Sequence, residues 1–101
     1  MSSRKVHLLQ LSPQAEQDFV DIPRYTGETW GEAQLVAYRD KINEAQKALS
    51  SNPQLGRRSS ELPQCHRAYL VGSHLIVFRM HGEAVAVLRT LHQRMSLGQH
   101  V

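Results

Sequence analysis

The run CHRAYLVGSHLIVFRMHGEAVAVLRTL, residues 65–91, decides the fold. It contains three apolar-rich segments, Cys65–Val71, Leu75–Met80 and Ala84–Leu91. Gly72-Ser73 and His81-Gly82-Glu83 separate them. Short runs rich in β-branched, aliphatic and aromatic residues, bounded by glycine, read as strands. Glycine at the first position of a two-residue connection suits a type II′ turn, so the first two segments form a hairpin. Alternation in the third places Val85, Val87, Arg89 and Leu91 on one face and Ala86, Leu88 and Thr90 on the other.

Upstream the apolar period changes from two residues to between three and four. Leu35, Tyr38, Ile42, Ala45 and Leu49 recur at steps of three and four, which predicts a helix over Glu32–Ser50 with a narrow packing seam. Asn52-Pro53 stops it. Residues 54–63 form a loop rich in Gly, Ser, Pro and Arg, the segment expected to move most. Before that helix, Ser12-Pro13 opens another. Serine caps the free N–H groups, and proline is tolerated at the first helical position. Ala15, Phe19, Ile22 and Tyr25 then mark its inner face, with Asp18 and Asp21 outside. Pro23 predicts a kink or an early end, and Gly27 a terminator. Trp30-Gly31 sits at the connection, with Trp30 expected as a core anchor against the sheet. Two amphipathic helices joined by a short link make a helical hairpin.

Lys5–Leu11 reads as a first strand with apolar side chains on both faces, expected at a sheet edge. The order is β-α-α-β-β-β. It implies an α+β domain, an antiparallel sheet covered on one face by the helical hairpin. The 101 residues fit a single domain, with 1–4 and 96–101 as flexible ends.

Charge is unevenly distributed. Residues 1–50 carry six bases and seven acids. Residues 51–101 carry Arg57, Arg58, Arg67, Arg79, Arg89 and Arg94 against Glu61 and Glu83, an excess of +4. Arginine suits planar, bidentate contact with anions, so this half is a surface for an acidic protein segment or a nucleic acid. No apolar run approaches the ~18 residues needed to cross a bilayer, and Met1–Lys5 does not lead into the apolar stretch of a secretory leader. The single Cys65 can form no internal disulfide and fits a reducing cytoplasm. It supplies no second thiolate for zinc, and the six histidines show no ligand spacing with a carboxylate, so neither metal nor cofactor is expected.

Several strings occur together and in order. They are Leu11-Ser12-Pro13 with Ala15 and Asp18, Tyr25, Trp30-Gly31, Asn52-Pro53, and Leu55-Gly56-Arg57. They continue with Glu61-Leu62, Arg67, Gly72-Ser73-His74, Val77-Phe78-Arg79 and Leu88-Arg89-Thr90-Leu91-His92-Gln93-Arg94-Met95. Over residues 8–95 the chain resembles the ParE branch of the ParE/RelE toxins of type II toxin–antitoxin systems. The resemblance implies a cytoplasmic, non-enzymatic toxin that inhibits DNA gyrase and blocks replication. It also implies neutralisation by a ParD-like ribbon-helix-helix antitoxin, with operator DNA met only through that antitoxin. Trp30, Gly31, Gly72, His74 and Phe78 are then motif residues of the fold. In two places the chain departs from the family pattern. Phe78 stands where a tyrosine is common, and Ser96 follows Met95 where an aspartate is common.

The residues expected to face the target or the antitoxin are Arg57, Arg58, Arg67, Arg79, Arg89, His92, Arg94 and Met95. The alternative is a RelE-like ribosome-dependent mRNA endonuclease. It would use Glu61, Arg67, Arg79 and His92 as base, phosphate clamps and acid. Against it, no tyrosine lies in the tail, and the second half holds no lysine.

Overall fold

The computed structural model describes residues 7–94. The expected flexible ends and Met95 lie outside them. The elements are β1 (Leu8–Leu11), α1 (Pro13–Trp30), α2 (Glu32–Ser51), a 3-10 turn (Pro53–Leu55), β2 (His66–Val71), β3 (His74–His81) and β4 (Ala84–His92). The sheet order is β1-β4-β3-β2. The three hairpin-linked strands run antiparallel. β1 joins the edge of β4 in parallel, with Leu8 opposite Ala84 and Leu11 opposite Val87. The sheet is therefore mixed, because the helical hairpin carries the chain from β1 back to the same end of the sheet before β2 begins.

One sheet face packs on the helices. Phe78, Ile76, Val85 and Val87 are fully buried there against Ile42 and Leu49 of α2 and Ala15 of α1. The other face is covered in part by Leu62, which packs on Val77 and Leu91. The loop expected to move most is thus anchored by an apolar side chain. Its Arg57 also exchanges two backbone hydrogen bonds with Ala68, at 2.8 and 2.9 Å, along the outer edge of β2.

A β-bulge changes the predicted alternation of β4. Val77 pairs with Arg89 but Phe78 pairs with Val87, so Leu88 is an extra residue. Inserting one residue exchanges the faces beyond it. Val85 and Val87 stay on the helix side, where Thr90 joins them opposite Ile76, while Arg89 and Leu91 pair with Val77 and Leu75.

The helices differ from expectation in three places. First, of the two outcomes expected at Pro23 the early end does not occur: the proline is buried and α1 runs on to Trp30. A proline in mid-helix costs about 3 kcal/mol, and here burial of the inner face offsets it. Second, Gly27 does not terminate the helix. It lets α2 approach, since a Cβ there would lie 2.6 Å from Leu35 Cδ1. The terminator is Gly31, whose φ of 99° turns the chain between helices and whose N–H donates to the Gly27 carbonyl. Third, Tyr25 and Trp30 are not core. They are 69% and 72% exposed. The inner row runs through Ala15, Phe19, Ile22 and Thr26, and Trp30 stands at the hairpin corner beside Gly31.

Asp18 is not on the outer side either. After β1 ends at Leu11, the start of α1 lies along the β4 edge. The Ser12 N–H donates to Val87 O, its hydroxyl donates to Leu88 O, and Asp18 accepts from the Thr90 N–H and the Arg89 guanidinium.

Candidate functional site

The arginines separate by strand register. Arg67 pairs with Phe78 and so lies on the helix side of the sheet, where its guanidinium donates to the Gly56 carbonyl at 3.0 Å. Arg79 pairs with His66 and Ala86 and projects to the opposite face. Both still reach one cleft of about 420 Å³ at the sheet end, with Arg58, His7, Cys65 and Met80. No acidic residue lines it, and neither Arg58 nor Arg79 has a carboxylate partner among the described residues. The positive field is felt locally: burial and the Arg79 charge push the His66 pKa below its usual value. Arg58 also borders a second cleft of about 700 Å³ along β2, with Arg57, Leu55 and the exposed Leu70.

Arg89 does not belong to this cationic surface. It is held in a two-point ion pair with Asp18, at 2.9 and 3.2 Å, with its side chain only 23% exposed. The hydrogen bond to Asp18 raises its pKa further. Arg94 is exposed, and its N–H donates to His92 Nδ1 at 3.1 Å.

His92 belongs to a ring cluster at the other end of the sheet. Its ring meets His74 edge-on at a centroid distance of 5.3 Å, and His74 lies 5.4 Å from Tyr38. The Tyr38 hydroxyl accepts the Ser73 N–H and contacts His74 Nδ1 at 2.5 Å. The same hydroxyl donates to the Val71 carbonyl at 3.4 Å. Burial first, and the neighbouring His92 second, lower the His74 pKa, with Asp18 opposing. Tyr38, Tyr25, Trp30, His74 and His92 line a cleft of about 520 Å³ together with Thr26, Gln34 and Ser73. This cleft is not legible in the sequence, because Tyr38 and Trp30 both read as core.

Of the four residues of the endonuclease reading, only Arg67 and Arg79 share a cleft. His92 pairs with His74, four positions along β3 from Phe78, the partner of Arg67. That separates them by about 13 Å at the strand rise of ~3.3 Å per residue. Arg79 projects from the other face. Glu61 is exposed in the loop, where its N–H donates to the Ser59 hydroxyl, and it pairs with no arginine among the described residues. Among the described residues no three His, Cys, Asp or Glu side chains are grouped to hold a metal ion. No helix among them is long and apolar enough to cross a membrane.

Comparison with known proteins agrees with this architecture. Residues 9–97 match the family model described as ParE toxin of type II toxin-antitoxin system, parDE. Toxin ParE1 of Mycobacterium tuberculosis is 33% identical over 102 residues, covering 100% of both chains. Among solved structures, a chain of the chromosomal ParDE toxin–antitoxin system from P. aeruginosa superposes with a TM-score of 0.77 at 20% identity, covering 86% of this chain and 96% of that one. A chain of the toxin–antitoxin complex RelBE2 from Mycobacterium tuberculosis gives 0.61 at 17% identity, covering 87% and 99%. These two likenesses establish the fold.

Proposed function

The chain belongs to the ParE family of type II toxin–antitoxin toxins, and on that premise we propose that it inhibits DNA gyrase in the cytoplasm. It acts by binding, without cleaving a substrate, so that replication stops and growth arrests. A ParD-like ribbon-helix-helix antitoxin neutralises it, and operator DNA is met only through that antitoxin. The observation that carries the antitoxin reading is the cleft bounded by Arg58, Arg67 and Arg79, which has no acid on its walls. An acidic, amphipathic antitoxin segment places its carboxylates on these arginines and its apolar residues on the exposed Met80. Arginine forks make such contacts bidentate and short.

The test is a supercoiling assay with purified gyrase. Micromolar toxin is expected to inhibit supercoiling and accumulate the cleaved DNA complex, and the antitoxin to restore activity. Full gyrase activity with no cleaved complex would overturn the reading. The endonuclease alternative is not favoured. The family model that matches is the ParE one, and Glu61, Arg67, Arg79 and His92 form no common site.

A further inference from the structure

We propose that the ring-lined cleft at the corner of the helical hairpin is a stacking site for an unpaired nucleobase. This goes beyond the gyrase reading and stands on different residues. The walls are Tyr25 and Trp30 from α1, Tyr38 from α2, and His74 and His92 from the sheet. Among the described residues no aliphatic side chain lines the cleft. A groove that takes up a partner's apolar helix is instead built from aliphatic pockets.

Rings on the walls and polar groups between them suit a flat π system with hydrogen-bonding edges. The Ser73 hydroxyl and the Gln34 amide are the edge partners, and the Thr26 hydroxyl, which donates to the Ile22 carbonyl at 3.0 Å, serves as an acceptor only. At about 520 Å³ the cleft is large enough for a base with part of its sugar. The floor is rigid, since Tyr38, His74 and His92 are packed ring against ring and the Tyr38 hydroxyl is tied to the Ser73 N–H. The mouth is open, with Trp30 and Tyr25 largely exposed. Arg94, exposed two residues beyond His92, supplies a cation for the adjoining phosphate.

Trp30 is the single tryptophan of the chain, so its fluorescence reports this cleft directly. The full-length toxin is titrated with single-stranded oligo-dT, with oligo-U, with a DNA duplex of equal length, and with heparin. Saturable quenching by either single strand at micromolar concentration is expected, with little from the duplex or heparin. The tighter of the two single strands identifies DNA or RNA as the source of the base. In a parallel anisotropy assay with labelled oligonucleotide, His92→Ala and Tyr25→Ala should each weaken binding about tenfold, the loss of one stacked ring. Trp30→Phe should retain most of it. No quenching by either single strand would overturn the proposal. So would equal quenching by heparin, which would reduce the effect to charge. A blue shift of Trp30 on adding antitoxin, with no response to oligonucleotide, would overturn it in favour of a protein occupant.

Discussion

The Asp18 carboxylate of α1 grips Arg89 of β4 through both oxygens, at 2.9 and 3.2 Å, and takes the neighbouring Thr90 N–H at 2.9 Å. The contact sits where β1 has ended and the bulge at Leu88 has interrupted the ladder. The first helix thus completes the edge of the sheet with side-chain oxygens where a strand would have used carbonyls. Buried backbone donors must find partners, and here a carboxylate serves. Both side chains are mostly buried, at 14% and 23% exposure.

Removing one partner therefore leaves the other charge poorly compensated. Asp18→Ala should lower unfolding free energy by about 2 kcal/mol, because it strands both a guanidinium and a backbone N–H. Arg89→Ala should cost less, since Thr90 keeps its acceptor. In urea denaturation the double variant should lose less than the sum of the two single losses.

Stability should fall on acidification. Burial lowers the pKa of His74 and of His66 below the ordinary 6.5. Between the folded and unfolded values the unfolded chain binds more protons, so stability rises with pH there. It is complete above about pH 6.5 and is lost as pH falls towards the lowered values. The thermal midpoint, followed by circular dichroism from pH 7.5 to 5, should drop. His74→Gln should flatten that slope, because its amide does not titrate.

Two glycines at positive φ should respond to alanine for different reasons. Gly31 and Gly72 have φ of 99° and 58°. Nothing lies within 4 Å of a Cβ at Gly31, so Gly31→Ala should cost backbone strain alone, on the order of 1–3 kcal/mol, since φ 99° with ψ 169° is open essentially only to glycine. At Gly72 a Cβ would meet the Tyr38 hydroxyl at 2.7 Å, so Gly72→Ala should add a clash to its strain and disturb the Tyr38–His74 contact, which Gly31→Ala should leave intact. Thermal unfolding of both variants, with the His74 ring proton shifts, checks this.

Charge reversal should map the basic cleft. Arg58→Glu and Arg79→Glu should each weaken binding of an acidic antitoxin segment by tenfold or more, and should flatten its dependence on salt. The effect should be absent for Arg24→Glu, at an exposed helical site already paired with Asp21. Calorimetric titration at two ionic strengths measures both quantities.

The elements themselves were legible in residues 8–92. Period-two apolar runs gave three strands, a three-four stripe gave α2, and Ser12-Pro13 gave the start of α1. These patterns are local, set by side-chain direction and backbone sterics over a few residues, so the chain carries them without knowing its partners. The tertiary structure decided what depends on distant neighbours. Pro23 was not a breaker, because the buried face of α1 outweighed its local cost. Trp30 was not core, because the residue at a hairpin corner has no layer above it. Arg89 changed from surface cation to internal pair, because one inserted residue in β4 shifted the alternation and Asp18, 71 positions earlier, stood at the edge to receive it. The sequence by itself determined the order and kind of the elements. Which arginines stay free for a partner was decided only by register and by the contact of α1 with β4, which no local pattern encodes.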